Sequence, residues 1–194
     1  MRGQKDIRKA AQLRALRGKR IGVVFQDPMG SLSPLHRIGD QLVETILLHE
    51  QMTKAAARSH ALEWLGKVGI PDPVQRAQAY PHELSGGMQQ RVMIAMGLML
   101  GPDLVIADEP TTALDVTIQA QVLRLMKRLH QANSGVLLIT HDLGVVSQMA
   151  TKLAVMKNGR VVETAEDPAE FFNNPKHPYS KELVGEARKM ELET

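Results

Sequence analysis

The stretch LVIADEP at residues 104–110 is the most informative part of the sequence about the fold. Four apolar residues in succession predict a strand buried on both faces, which is typical of a parallel sheet. Two carboxylates, Asp108 and Glu109, end this run, and ligands of open α/β sheets bind beyond the carboxyl ends of the strands. The stretch therefore indicates a ligand site at a sheet edge. Taken alone, a strand-ending turn with two solvated carboxylates explains the pair at least as well.

Outward from this stretch, apolar runs alternate with helical patterns. Runs at residues 21–25 and 136–140 predict two more buried strands, and Asn158-Gly159 between two apolar runs predicts a hairpin. Helices and buried strands in alternation predict an α/β fold. The block from Ile38 to Leu100 has helical periodicity and no convincing strand. It predicts a helical subdomain inserted into the sheet.

Composition sets the outer limits on function. The 194 residues contain no cysteine, which excludes disulfides, thiolate metal sites and cysteine nucleophiles from this chain. Aromatic residues make up only 3%, so the core must be built from aliphatic side chains and methionine. The net charge is +3, but much of the positive charge lies between Arg2 and Arg20, which is typical of a solvated surface segment. The longest apolar run, residues 92–100, is about half as long as a membrane-spanning helix requires.

Three further polar features follow a predicted strand or open a predicted helix. LSGGMQ at residues 84–89 joins a helix cap, Ser85, to two glycines that leave backbone N–H groups unobstructed. Such a helix N-terminus can bind an anion. Gln26 and His141 each come at the end of a predicted strand, at the same sheet edge as the two carboxylates. Taken one at a time, each feature has a simpler explanation: a helix cap, a loop residue and a structural histidine.

Together these features form an ordered series of motifs. The series consists of FQDP at 25–28, LSGGMQQR at 84–91, LVIADEP at 104–110, ALD at 113–115 and THD at 140–142. In order and spacing it resembles the ATPase domain of ABC transporters, and the resemblance extends over nearly the whole chain. The resemblance implies an α/β fold with a P-loop NTPase core and an inserted helical subdomain.

The same resemblance divides the chain into four segments. They are a partial ATPase core with the Q-loop (1–37), a helical subdomain ending in the signature helix (38–100), an ATPase core with Walker B, D-loop and switch histidine (101–165), and a C-terminal tail of the peptide-importer type (166–194).

The resemblance also implies a role for each polar residue at the sheet edge. Gln26 looks like the Q-loop glutamine, which contacts Mg²⁺ and the attacking water. Asp108 looks like the Walker B aspartate, which holds Mg²⁺ through water, and Glu109 like the general base that orients the hydrolytic water. His141 looks like the switch histidine that contacts the γ-phosphate. The implied cofactors are ATP and Mg²⁺, and no covalent intermediate is expected.

A second set of residues is implied to bind ATP across a dimer interface. Ser85, Gly86 and Gly87, with Gln89 in the same motif, resemble the signature that caps the γ-phosphate of ATP bound on the opposite subunit. Asp115 resembles the D-loop residue that crosses the interface. The implied partner is a second ABC ATPase subunit, in a homodimer or a heterodimer.

The sequence departs from the family pattern at one essential element. A G-x-x-x-x-G-K-[ST] loop, whose backbone N–H groups and lysine hold the β- and γ-phosphates, does not occur in the sequence. RGQKDI at residues 2–7 resembles the part of the domain that follows this loop. The ATPase core is therefore expected to be incomplete at the N-terminus. We expect the chain by itself neither to bind ATP tightly nor to hydrolyse it.

Three stretches narrow the resemblance to the ATPases of bacterial dipeptide, oligopeptide and nickel importers. They are FQDPMGSLSPLH at 25–36, DEPTTALDV at 108–116 and PKHPYS at 175–180. This similarity implies membrane permease subunits as partners, a solute-binding protein that acts indirectly, and a peripheral location at the cytoplasmic face of the bacterial inner membrane. The solute stays open between peptides, nickel and glutathione. Two alternatives also stay open: a half-domain without ATPase activity of its own, and a non-transport ABC ATPase acting on nucleic acid or the ribosome, although no nucleic acid is expected.

Overall fold

The computed structural model of the chain describes residues 16–111, 114–129 and 134–192. The chain falls into two compact units, Met1–Ile139 and Thr140–Thr194. The four-segment division expected from the motifs stays a prediction. The boundary between the two units lies inside the third of those segments, directly after a strand.

The first unit contains a three-stranded parallel sheet. Its strands are β1 (Ile21–Val24), β2 (Leu104–Asp108) and β3 (Gly135–Ile139), in the order β1-β2-β3. All three form at the apolar runs of the sequence, which confirms the predicted α/β architecture. In the register Val24 lies beside Ala107, which lies beside Leu138. Because the strands are parallel, their carboxyl ends reach the same edge of the sheet.

The rest of the described first unit is largely helical. Its helices are α1 (Pro28–Ser31), α2 (Ile38–His49), α3 (Lys54–Lys67), α4 (Pro73–Arg76), α5 (Gly86–Leu98) and α6 (Val116–Leu129), with a 3-10 turn at Pro81–Glu83. Residues 38–100 are all described and contain no strand, as their periodicity predicted. The sequence therefore places a purely helical block between β1 and β2.

The core of the first unit lies between the sheet and α5. Val24 and Ala107 are fully buried on one face of the sheet, and a Cβ on Gly97 of α5 would lie 3.0 Å from the Cγ2 of Val24. Met93 and Met99 in and just after α5 are each 4% exposed, which agrees with the gap-filling role of methionine in a core poor in aromatic residues. The strand that leads to Gln26 and the helix that begins at Gly86 are therefore packed directly together.

The second unit is built on an antiparallel hairpin. Strands β4 (Leu153–Lys157) and β5 (Arg160–Ala165) pair across a turn in which Asn158 and Gly159 have φ values of 51° and 74°. Positive φ at both positions is what this two-residue turn requires, and the predicted hairpin is confirmed. The helices of the unit are α7 (Leu143–Met149), α8 (Pro168–Asn173) and α9 (Pro178–Leu192). Among the described helices of the whole chain, none combines the length and apolar character needed to cross a bilayer.

Candidate functional site

The candidate site in the first unit begins at the carboxyl edge of the sheet. Val24 and Ala107 are direct neighbours across β1 and β2. Asp108 is the last residue of β2, and Gln26 follows β1 by two residues. Gln26 is exposed, while Asp108 and Glu109 are half-buried. The parallel register thus brings an amide and two carboxyl groups to one edge, as the strand patterns predicted.

Glu109 is held in an unusual backbone conformation. Its φ is 47°, in the left-handed region that non-glycine residues rarely adopt. Its N–H donates to the carbonyl oxygen of Ile139 at the end of β3, at 2.9 Å. A conformation of this kind costs about 1 kcal/mol or more, and such costs are concentrated at functional sites. The hydrogen bond to β3 stabilises the turn that presents the Glu109 side chain. Sequence reasoning missed this feature, because no local pattern distinguishes it from an ordinary turn before proline.

The signature stretch forms the N-terminus of α5. Ser85 is the N-cap, and its Oγ accepts a hydrogen bond from the Met88 N–H at 3.4 Å. A Cβ on Gly86 would meet nothing within 4 Å, whereas a Cβ on Gly87 would lie 3.0 Å from the Cγ2 of Ile118. The position of a side chain at Gly86 is therefore open space. It lies at the N-terminus of α5, where the helix dipole favours an anion.

The structure corrects the prediction for Gln89. Its side chain is 4% exposed, and its Nε2 donates to the carbonyl oxygens of Pro81 at 2.8 Å and Leu84 at 3.1 Å. A buried amide engaged in this way is not presented to a ligand. Gln89 instead fastens the 3-10 turn to α5 and so supports the loop that carries Ser85. The motif as read in the sequence gave no sign that this side chain points inward.

Asp115 lies at the start of α6, close to the start of α5. Its Oδ1 accepts a hydrogen bond from the Ile118 N–H at 2.9 Å, and its carbonyl oxygen accepts one from the Gln119 N–H at 2.8 Å. Asp115 therefore caps α6 while remaining exposed. Since Ile118 also faces Gly87, the predicted signature and D-loop residues lie at neighbouring helix N-termini. Residues 112 and 113, which belong to the same predicted motifs, lie outside the described residues.

The predicted histidine begins the second unit. His141 is exposed and is the second residue after β3 along the chain. The backbone on either side of it is anchored: the Asp142 N–H donates to the Thr140 Oγ1 at 3.0 Å. Asp142 in turn caps α7, because its Oδ1 accepts hydrogen bonds from the N–H groups of Gly144 at 2.8 Å and Val145 at 3.2 Å. The THD motif is thus a local structure that fixes the backbone at His141.

Comparison with known protein families shows which family the chain belongs to. The family model described as "ABC transporter" matches residues 2–112, more than half of the chain. The chain belongs to the ABC transporter family. The resemblance inferred from the motifs is therefore confirmed. Asp108, Glu109 and helix α5 lie within the matched segment.

Curated relatives of this ABC transporter chain are named for peptide transport. It is 50% identical over 182 residues to the dipeptide transport ATP-binding protein DppD of Bacillus subtilis, covering 93% of this chain and 54% of that protein. It is 52% identical to the oligopeptide transport ATP-binding protein OppD of the same organism, covering 89% and 48%. DppD of Escherichia coli is 51% identical, with 88% and 52% covered. The chain spans about half the length of the curated relatives it matches.

Solved structures support the same assignment. The chain superposes with a TM-score of 0.70 and 30% identity on the ATP-binding cassette MJ0796, whose dimeric post-hydrolysis state was solved with ADP and Pi. The superposition covers 80% of this chain and 66% of that cassette. The predicted ABC ATPase fold is confirmed. The ADP, Pi and dimer are properties of that structure.

The residues of the sheet edge fit a magnesium ion that is bound together with a nucleotide. Among the described residues no group of three or more His, Cys, Asp or Glu side chains could enclose a metal. Mg²⁺ does not need such a cage, because it commonly takes one or two carboxylates, several waters and substrate phosphates. The Asp108 carboxylate and the Gln26 amide oxygen are hard oxygen donors of the kind it prefers.

Proposed function

We propose that the chain forms part of the ATP-hydrolysing subunit of an ABC importer for peptides or a related solute. The observation that carries the proposal is the parallel pairing of Val24 with Ala107, which brings Gln26, Asp108 and Glu109 to one sheet edge. The names of relatives about half identical to the chain favour peptides as the solute. A peripheral location at the cytoplasmic face of the membrane is part of this proposal.

In this proposal the sheet edge supplies hydrolytic groups to the ATPase subunit of which the chain forms part, while the phosphate-binding loop is not among the 194 residues. Asp108 and Gln26 would hold Mg²⁺, which would supply charge neutralisation to the phosphates of ATP. Glu109 accepts the hydrogen bond of the attacking water, and its fixed backbone sets the direction of its carboxylate. His141 contacts the γ-phosphate. Each of these groups acts through its position and charge, because phosphoryl transfer is accelerated mainly by positioning and electrostatic stabilisation.

The signature helix serves the ATP of a second subunit. Ser85, Gly86 and Gly87 present the N-terminus of α5, with open space at Gly86, to a γ-phosphate held by the partner. Asp115 lies beside this helix end and makes the neighbouring contact across the interface. The solved dimers of the MJ0796 cassette support an ATPase dimer of this kind. Permease subunits and, indirectly, a solute-binding protein complete the proposed importer.

The sheet-edge residues and the residues at the N-terminus of α5 can be tested separately. The chain is mixed with DppD of Bacillus subtilis, a relative used as the intact ATPase. The phosphate-binding loop does not occur in the 194 residues. We therefore expect no steady phosphate release from the purified chain alone, and a gain in ATPase activity per DppD subunit when the two are mixed. The gain arises because the chain lends Ser85–Gly87 to ATP held by DppD.

Two variants show whether the gain depends on the N-terminus of α5 or on the sheet edge. Ser85→Asp keeps a good helix cap but places a negative charge against the γ-phosphate, so it should abolish the gain without loss of stability. Glu109→Gln should leave the gain intact, because Glu109 serves the ATP that this chain does not hold. If the purified chain releases phosphate by itself and Glu109→Gln abolishes this activity, the chain binds and hydrolyses ATP without a partner, contrary to the expectation. A wild-type mixture without any gain would contradict the dimer proposal.

A further inference from the structure

Two contacts, about one turn apart, join the starts of α5 and α6. Gly87 of α5 faces the Cγ2 of Ile118 in α6. Further along both helices, the Nη2 of Arg91 donates to the Oε1 of Gln121 at 2.7 Å. Residues four apart on α5 and three apart on α6 lie on one face of each helix. The two contacts therefore form a single seam between the helices.

The guanidinium of Arg91 also reaches a third helix. Its Nη1 donates to the carbonyl oxygen of Val68, the C-cap residue of α3, at 2.8 Å. A cation is favourable at this position because the last carbonyl groups of a helix carry partial negative charge. The next residue, Gly69, has a φ of +75°, and a Cβ there would lie 2.9 Å from Nη1. The chain after α3 is thus shaped to admit the guanidinium.

We propose that Arg91 is a positioning residue that sets the placement of Ser85–Gly87 relative to Asp115. Ser85 caps α5 and Asp115 caps α6, at the end where the seam joins the two helices. The planar fork of Arg91 bonds to α6 and to the end of α3 at the same time, which fixes the rotation of α5 about its axis. Arg91 therefore acts on both motifs through the helices. Its effect on ATP hydrolysis rests on the function proposed above.

Arg128 provides a matched control on the same elements. Its Nη2 lies 3.5 Å from the carbonyl oxygen of Lys67, so it joins α6 to the same end of α3. It is close to the C-terminal end of α6, far from the two capped N-termini. If Arg91 only stabilised helix packing in general, replacing either arginine would change amide hydrogen exchange at the same positions.

Hydrogen exchange of the 194-residue chain tests the inference without nucleotide. The informative amides are Met88 and Gln89 in α5 and Ile118 and Gln119 in α6, which are bonded to the two cap residues. Lysine keeps the charge but has one donor nitrogen in place of the two guanidinium nitrogens that bond to Val68 and Gln121. Because the planar fork is lost, Arg91→Lys should speed exchange at these amides about tenfold. Arg128→Lys should leave them within about twofold of the wild type, because it lies outside the seam.

A second pair of variants guards against misfolding of Arg91→Lys. Gln121→Ala removes one acceptor and leaves the bond to Val68, so it should speed exchange at Ile118 and Gln119 in the same direction. Gln121→Glu keeps an acceptor oxygen and should preserve protection. Unchanged exchange at these amides in Gln121→Ala would overturn the inference. So would equal acceleration in Arg128→Lys, because the role of Arg91 would then be general stabilisation.

The consequence for catalysis is measured in the mixture with intact DppD. Arg91→Lys should lower kcat severalfold and leave KM for ATP nearly unchanged, because Arg91 acts on the placement of the signature after ATP has bound. If the wild-type chain gives no gain with DppD, the proposed function fails, and the exchange result still decides the inference. If the gain is present and Arg91→Lys leaves kcat unaltered, the positioning role fails.

Discussion

Gly22 in β1 and Gly97 in α5 pack backbone against backbone. A Cβ on Gly22 would overlap the carbonyl oxygen of Gly97, and a Cβ on Gly97 would lie 3.0 Å from the Cγ2 of Val24 and 3.3 Å from the carbonyl oxygen of Val23. The strand that leads to Gln26 and the helix that begins with the signature residues therefore touch without a side chain between them. A shift in either element must move the other, because there is no flexible side chain to absorb it.

Gly22→Ala should therefore destabilise the chain by about 2 kcal/mol or more, since the new methyl group would overlap the backbone carbonyl of Gly97 and press on the Pro102 ring. Gly185→Ala is the matched control: it lies in α9, where a Cβ meets nothing within 4 Å. That variant should be neutral or gain up to about 1 kcal/mol from its higher helix propensity. Urea midpoints measure both. Equal midpoints for the two variants would mean that β1 and α5 are not in direct contact.

The two glycines of the signature should respond differently to alanine. Gly86→Ala meets open space, so it should keep full stability while lowering the ATPase gain in the mixture with DppD. Gly87→Ala presses on Ile118 and should cost about 1 kcal/mol.

Replacing Ile118 with Ala in the Gly87→Ala background removes the Cγ2 methyl group that the new Cβ at position 87 would meet. The double mutant should show a favourable coupling of about 0.5 kcal/mol or more in unfolding free energy. Strict additivity of the two substitutions would contradict the contact between α5 and α6. Loss of stability in Gly86→Ala would contradict the open space at that position.

Gln89→Glu should be more damaging than Gln89→Met at neutral pH. Methionine leaves the carbonyl groups of Pro81 and Leu84 without their donor, at a cost of about 1–3 kcal/mol, whereas glutamate also buries a negative charge against them. Burial raises the pKa of such a carboxyl group, and its protonated form can donate to a carbonyl oxygen. The stability difference between the two variants should therefore shrink between pH 7 and pH 5. An unchanged difference would place residue 89 in solvent.

Glu163 should make the second unit sensitive to acid. Its carboxylate accepts hydrogen bonds from the N–H groups of Lys176 at 2.9 Å and His177 at 2.8 Å, and so holds the PKHPYS segment on β5. Burial acts to raise the pKa of Glu163, but the Ser180 hydroxyl, these two N–H groups and the charge of His177 together hold it below its ordinary value. The Ser180 oxygen is near but outside hydrogen-bonding geometry, so the backbone bonds are the firmer cause.

A pKa lowered in the folded state means that the unfolded chain binds more protons in acid. The stabilisation by Glu163 is therefore complete above the unfolded pKa of about 4.3 and is lost as the pH falls through the folded pKa. Glu163→Gln should cost about 1 kcal/mol at pH 7, a value that allows for solvent screening, and less at pH 3.

Glu63 is the control for this effect. Its pKa is also lowered, by the hydrogen bond and charge of Lys67, but the pair is exposed on α3. Glu63→Gln should have a smaller effect that salt removes. Thermal unfolding of both variants at pH 7 and pH 3 distinguishes them. A Glu163→Gln effect that does not change with pH would show that the carboxylate charge has no part in holding the segment.

Local sequence pattern was sufficient to predict several features of the fold and the site. Apolar runs placed β1, β2 and β3, and the polar residues that end them, Gln26 and Asp108, were predicted at the edge where the structure has them. Ser85 was predicted as a helix cap, and the Asn158-Gly159 turn was predicted from a dipeptide. Each of these depends on residues adjacent in the chain, whose backbone preferences are the same wherever the segment lies.

Which side chains support the fold depends on contacts between segments that are distant in the chain. Glu109 adopts a positive φ stabilised by Ile139 of another strand, and Gln89 turns inward toward Pro81 and Leu84. Arg91 receives its role from Val68 and Gln121, residues 23 and 30 positions away. Such contacts join segments whose approach is set by core packing, so no local pattern could predict them.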